Sequence, residues 1–233
     1  MKLTLYQPWG GLGDNLQFST LPEELAKRGD EVYVSRRNVL RNPEIHELVW
    51  LQNPFVKGIS DDEPNLGHPY FRYDTCLSNN IINHWELCSG LTPTKGLPRI
   101  YREPVWLGAY EDLVIVDVSS VSIGYEPQAL TARVEEVLKR FPDNPIAQVD
   151  FTNHKPAHNL RLDYPSIPVE SLDEYWNVMF SCHTAITAFS GGSVLAAALL
   201  ERWRTPDEFK PVVIRPPGHT KGYIFDGIEY VNV

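Results

Sequence analysis

The chain has 233 residues, 42% of them hydrophobic and 22% charged, the composition of an ordinary globular protein with length enough for one large core or two small ones. Its net charge is −9, and no run of Lys or Arg is longer than two, which argues against nucleic acid as the main partner. The three cysteines, Cys76, Cys88 and Cys182, form no CxxC pair and read as reduced thiols. No secretory signal is visible in MKLTLYQPWGG, and the longest apolar run, 194–200, is too short to cross a bilayer, so a cytoplasmic protein without a transmembrane segment is expected.

In chain order, the first element is a short strand from Leu3 to Tyr6. It runs directly into Pro8-Trp9-Gly10-Gly11-Leu12-Gly13-Asp14-Asn15. Leu16, Leu21, Leu25 and Ala26 then give a helical face that ends at Lys27-Arg28-Gly29, basic residues in a last turn with a glycine beyond. Glu31 to Ser35 is a second strand. Strand, glycine-rich turn, helix and strand make a βαβ unit, hence a parallel sheet. Residues 42–59 offer a helix start at Asn42-Pro43 and an apolar patch through Ile45, Leu48, Val49 and Leu51. Residues 60–74 read as a polar loop, and 81–91 as a helix stopped at Gly90. Prolines 93, 98 and 104 mark a boundary, giving lobes 1–104 and 105–233.

The second half restarts with Leu113 to Val118, an almost wholly apolar strand suited to the middle of a parallel sheet. A helix over 129–141, a strand over 146–151 and a proline-bearing excursion over 152–168 follow. Ser171 with Glu174 forms a capping-box pattern that opens a helix reaching about Cys182. A strand over 184–189 enters the tight turn Ser190-Gly191-Gly192-Ser193 and a helix over 194–203, and 211–215 is a further strand. The fold class expected is α/β, with two small Rossmann-like lobes, each on a parallel sheet.

Each half thus carries a glycine-rich turn between a strand and a helix. Glycines let backbone amides approach a ligand, and helix N-terminal amides favour phosphate or a sugar oxygen. In the first turn Gly10, Gly11, Gly13 and Asn15 form the loop, and Asp14 places a carboxylate at its mouth. The spacing Gly10-x-x-Gly13 is not a dinucleotide fingerprint, and no Gly-Lys-Ser/Thr follows. Structural readings stand beside these: Asp14 as a helix cap, and Ser193 as a cap of its own helix. Ligand crevices are expected at the carboxyl ends of both sheets, facing one another across a cleft.

At these turns the sequence resembles the heptosyltransferase-like glycosyltransferases of lipopolysaccharide assembly, which have the GT-B fold. Residues 10–29 are similar to that family's opening loop and first helix, with Thr20-Leu21-Pro22-Glu23-Glu24-Leu25 in place of its "TLPAL". Asn42-Pro43-Glu44-Ile45 resembles its "NP-x-I". Ser171-Leu-Asp-Glu-Tyr175 through Phe189-Ser-Gly-Gly-Ser-Val-Leu-Ala-Ala197 resembles its "SL-x-E-L … DSG-x-x-H-L-A-A" segment. The resemblance implies an inverting transfer of sugar from a nucleotide-diphosphate sugar to a glycan or other hydroxyl acceptor, with no metal or other cofactor. The donor side would be the C-terminal lobe, with Ser119, Ser120, Ser190, Gly191, Gly192, Ser193 and Lys221, and the acceptor side the N-terminal lobe. Asp14 maps onto the family's catalytic carboxylate and would act as general base.

This sequence departs from the pattern in three places. Phe189 stands where the family has Asp, Val194 where it has His, and Ser119-Ser120-Val121-Ser122 contains no Lys. Lys155, Arg161, Arg215 and Lys221 are candidate replacement cations, and 216–222 is a loop able to fold over a diphosphate. GGLGDNLQF also resembles the "G-x-LGNQ-x-F" opening of fucosyltransferases, without their HxRRxD segment. The competing functions are a non-catalytic nucleotide or sugar-phosphate binding protein and a nucleotide-sugar 2-epimerase. Trp9 and Tyr125 are aromatics able to stack on a sugar or base, or to anchor loops. His154 and His158 are four apart with Pro156 between them, a poor frame for one helical ligand face.

Overall fold

The computed structural model describes residues 1–67, 77–120, 125–153, 158–216 and 224–233. The chain divides into two compact units, Met1–Glu103 with Lys221–Asp226, and Pro104–Thr220 with Gly227–Val233. No helix among the described residues is long and apolar enough to cross a membrane.

The first unit contains β1 (Lys2–Tyr6), α1 (Leu12–Leu16), α2 (Leu21–Lys27), β2 (Glu31–Ser35), β3 (Val56–Ser60), β4 (Leu66–Gly67) and α3 (Ile81–Cys88). Its sheet is parallel in the order β3-β2-β1-β4. The chain goes to one side of β1 for β2 and β3 and to the other for β4. The topological switch point therefore lies at the carboxyl end of β1, where the first glycine turn begins.

Two expectations are corrected here. The helix expected from Leu16 to Lys27 is two short helices, because Pro22 has no N–H to return to Phe18. The chain between them closes by tight bonds instead: Phe18 N–H to the Asn15 carbonyl, Ser19 to Leu16 and Leu21 to Phe18, each 3.1 Å. Residues 42–59 form no ordinary helix either. They give one π-helical turn, His46–Leu51, and then β3, which extends the sheet beyond β2 with a register shift between Val32 and Val34. The two-residue β4 also interrupts the stretch 60–74 expected as loop.

The segment that leaves this unit is tied back to α2 by a nearly buried ion network. The Arg99 guanidinium meets Glu23 at 2.8 Å and Glu24 at 2.5 Å, Lys27 approaches both glutamates, and Tyr101 donates to Glu23. Burial works to raise the Glu23 carboxyl, but the Tyr101 and Lys27 hydrogen bonds and the Arg99 charge outweigh it and hold Glu23 at about 2. A carboxyl depressed on folding contributes stability above its unfolded value, lost as pH falls towards 2. Arg99→Met should therefore lower stability at pH 7 by about 3 kcal/mol, because it leaves two partly buried carboxylates without their main cation. Urea unfolding at pH 7 and pH 3 checks this, since the difference between wild type and variant should shrink at the lower pH.

The second unit contains β5 (Val114–Asp117), β6 (Ser119–Ser120), α4 (Pro127–Leu138), β7 (Ile146–Phe151), β8 (His158–Asn159), β9 (Ser166–Val169), α5 (Leu172–Ser181), β10 (Thr184–Ala188), α6 (Gly191–Arg202), β11 (Val212–Arg215) and β12 (Glu229–Asn232). Its main sheet is parallel in the order β12-β11-β10-β5-β7-β9, and β6 pairs antiparallel with β8. Strands β8, β9 and β12 were not expected. β9 and β12 are the two edges of the main sheet, where half-exposed residues weaken the apolar signal.

Side chains alternate across the strands. Val114, Val116, Ile186, Val212 and Ile214 pack with Leu130, Val134 and Val137 of α4. Asp117, on the opposite face, touches Tyr175 of α5. Helix α6 is buried from Gly192 to Leu199, which accounts for a sequence apolar on every side. The capping pattern before α5 is present, with Ser171 Oγ accepting from Glu174 N–H at 3.1 Å. The Glu174 carboxylate reaches one residue further back, to Glu170 N–H at 2.6 Å.

Candidate functional site

The first glycine turn is fastened to the segment after β2. Gln7 N–H donates to Asn38 Oδ1 (2.9 Å), Val39 N–H to the Gln7 carbonyl (3.2 Å) and Arg41 N–H to the Gly10 carbonyl (2.9 Å). Glycine at residue 10 suits this close approach, since a Cβ there would lie 3.0 Å from the Arg41 backbone nitrogen and 3.1 Å from Val39, and those neighbours would have to give way. Asn15 supports the turn from below. Its Nδ2 donates to the carbonyls of Gly11 (2.9 Å) and Trp9 (3.4 Å), and its Oδ1 accepts from the indole of buried Trp50 (2.9 Å). The Asn15 carboxamide is thus used within the protein. Trp9 is half-buried and held by its N–H on Gln7 Oε1.

Asp14 lies half-buried in the first turn of α1. Its Oδ2 accepts from Gly11 N–H at 3.1 Å and its carbonyl accepts from Gln7 Nε2 at 2.7 Å, while Oδ1 has no hydrogen-bond partner among the described residues. Burial raises the carboxyl above the ordinary range, opposed by the Gly11 N–H and the Arg41 charge. The result is a carboxylate of increased basicity with one oxygen unbonded among the described residues.

In the second unit the switch point lies between β5 and β10, and the second glycine turn follows β10 directly. Ser190 is the N-cap of α6 but its side chain makes no cap bond. The expected cap by Ser193 is corrected: it lies inside α6, and its Oγ and N–H both donate to the Ser190 carbonyl, at 2.7 and 3.1 Å, so it accepts from no free helix amide. The amides of Gly191 and Gly192 and the Ser190 hydroxyl have no hydrogen-bond partner among the described residues. They open a helix twelve residues long. Its partial positive charge is directed at whatever occupies the end of the sheet.

A polar cluster is buried at this end of the sheet. Asp117 Oδ1 accepts from Ser119 N–H (3.0 Å) and Oγ–H (2.5 Å), and Tyr175 shares a hydrogen bond with Oδ2 at 2.5 Å. Burial pushes the Asp117 carboxyl up and the Tyr175 phenol well up. Tyr125 pins the neighbouring strand ends, accepting from Phe189 N–H and donating to the Ile214 carbonyl, both at 2.8 Å. Burial pushes its phenol to about 12. It anchors a loop. Ser120 is buried on β6 opposite His158.

No family model matches the chain, and no curated protein matches it. Solved structures do. The iron-containing dodecameric glycosyltransferase TibC from enterotoxigenic E. coli aligns with a TM-score of 0.63 at 16% identity, covering 91% of this chain and 57% of TibC. The glycosyl transferase family 9 structure from Veillonella parvula gives 0.64 at 9% identity, covering 100% of this chain and 85% of the other. E. coli heptosyltransferase WaaC with ADP gives 0.56 at 10% identity, covering 100% and 93%. This chain has the heptosyltransferase-like GT-B fold.

The strand beside β10 ends in a buried carboxylate, Asp117, in register with Thr187. Sequence reasoning missed Asp117, although it is the one charged residue in Leu113-Val-Ile-Val-Asp-Val118. A carboxylate closing a buried central strand needs partners, and this was the available signal. Gln7, Arg41 and Tyr175 were also missed, and their roles depend on distant contacts. Of the replacement cations, Arg161 is exposed and pairs with Asp150 at 3.2 Å. Arg215 donates to Asn232 at 2.6 Å and lies over Tyr230. Lys155, Lys221, Val121, Ser122, His154 and the loop 217–222 lie outside the described residues. Among the described residues no three His, Cys, Asp or Glu side chains could hold a metal ion.

Proposed function

We propose that this chain is a glycosyltransferase that moves a sugar from a nucleotide-diphosphate sugar to an acceptor hydroxyl with inversion. The observation that carries the reading is the pair of amides, Gly191 and Gly192, at the head of α6 and beside the switch point of its sheet, neither of them bonded among the described residues. Phosphate oxygens suit such a site. Solved structures of the same fold are described with ligands of this class, ADP in WaaC and ADP-D-beta-D-heptose in TibC.

In this reading the acceptor oxygen attacks the anomeric carbon as the bond to the diphosphate oxygen breaks. Asp14 takes the hydroxyl proton, and a single displacement inverts the centre. The leaving diphosphate keeps the electron pair, and its charge is met by the Gly191 and Gly192 amides with the Ser190 hydroxyl. No metal is assigned to the step, so turnover should survive EDTA.

A binding protein without chemistry is the second reading, favoured by the bond from Gly11 N–H to the Asp14 carboxylate, which is a structural use of that residue. A panel of ADP-, GDP- and UDP-sugars in thermal-shift measurements, followed by assay of released nucleoside diphosphate in EDTA, separates the two. Stabilisation with release supports transfer, and stabilisation without release supports the binding protein. No stabilisation by any sugar nucleotide would contradict both.

A further inference from the structure

Beneath the α6 turn lies a buried pair that neither transfers a proton nor touches the donor in this reading. Asp117 is the last residue of β5, in register with Thr187 of β10, and its carboxyl meets the Tyr175 hydroxyl at 2.5 Å. Tyr175 is fully buried, its ring held edge-on by Phe151 with centroids 5.0 Å apart. A Cβ on residue 192 would stand 2.5 Å from Tyr175 Oη and 2.7 Å from Asp117 Oδ2. No side chain fits between the first turn of α6 and these two polar groups. The turn rests directly on them.

We propose that Asp117 and Tyr175 are positioning residues that set the direction of the Gly191 and Gly192 amides, and so decide how tightly a diphosphate is held. This rests on the reading of the α6 turn as the diphosphate site. Ser119 completes the support with two hydrogen bonds to Asp117 Oδ1, fixing the carboxyl plane from the opposite side. The α6 helix brings no titratable side chain between Gly191 and Leu200, and β10 brings none. The orientation of the turn is therefore carried by this hydrogen-bonded pair together with apolar packing.

The test compares wild type with Tyr175→Phe, Asp117→Ala and Asp117→Asn by calorimetric binding of ADP, GDP, UDP and inorganic pyrophosphate. Donor KM and kcat are then measured with the sugar nucleotide that turns over. Tyr175→Phe and Asp117→Ala should weaken diphosphate binding and raise donor KM roughly tenfold, the loss expected for a misdirected pair of hydrogen bonds, while kcat stays within about twofold. Asp117→Asn should restore near wild-type binding, since its carboxamide still accepts from Ser119 and can donate to Tyr175. Should Asp117→Ala not fold, Tyr175→Phe and Asp117→Asn carry the test.

Unchanged binding in folded Tyr175→Phe, a fall in kcat with KM unaltered, or an Asp117→Asn as impaired as the other two would each overturn the positioning role. A wild-type protein that binds none of the four probes would instead remove the diphosphate reading itself, and this proposal with it.

Discussion

Asp14→Asn should reduce kcat by about a thousandfold while leaving the fold and donor affinity close to wild type. Asparagine has nearly the shape of aspartate and still offers an oxygen to Gly11 N–H, so the turn keeps its closure. What it cannot do is accept a proton. Asp14→Ala would confuse the two effects, because it also removes the acceptor that closes the loop. The pH profile gives a second handle. A base must be ionised, so kcat should fall as pH drops through the Asp14 pKa, and burial places that limb above the ordinary carboxylate range. The limb should vanish in Asp14→Asn. Turnover by Asp14→Asn within a few fold of wild type would remove Asp14 from the chemistry.

Gly192→Ala should destabilise the second unit and disturb the α6 turn together. Its Cβ would fall well inside contact distance of both Tyr175 Oη and Asp117 Oδ2. Those groups are buried and hydrogen-bonded to one another, so either that pair or the helix must shift. A stability loss of about 2 kcal/mol is expected from overpacking, read by urea unfolding. Diphosphate binding should fall at least tenfold as the amides shift. The double variant Gly192→Ala with Tyr175→Phe removes the nearer of the two atoms, so the two changes should be less than additive in stability. Strict additivity would mean that the Cβ clash is not the cause.

The elements that could be read from sequence are those whose signals are local. Ser171 caps α5 through its own hydroxyl, Gly29 ends α2 with φ +95°, and 146–151 is a strand as its apolar content indicates. The glycine turns were legible for the same reason, with small residues between a strand and a helix. What escaped depends on partners far along the chain. β3 is an edge strand whose alternation is weak and whose pairing with β2 includes a register shift. The break between α1 and α2 was legible in principle from Pro22, but the apolar spacing across it outweighed that signal.

The sites divide along the same line. Gly10 and Gly192 were expected to bring amides near a ligand, yet in both places a close contact within the protein already favours glycine, tightly with Arg41 and Val39 in one and by an outright clash with Tyr175 and Asp117 in the other. Asn15, expected in a phosphate loop, clamps the turn through Trp50 and the Gly11 carbonyl. Residue type and spacing located the turns. They could not show which polar atoms the protein had already used, and although the lone carboxylate of a Val-Ile strand marked Asp117, its partner Tyr175 and the α6 turn above it are set by packing.

Backbone amide NMR during titration with ADP gives the most direct test of the α6 site. The Gly191 and Gly192 resonances should move first and furthest, with Ser193 close behind, and the same shifts should appear with GDP or UDP if the diphosphate is the part recognised. Glycine amides that stay in place while nucleotide binds elsewhere in the chain would contradict the assignment of this turn to the donor.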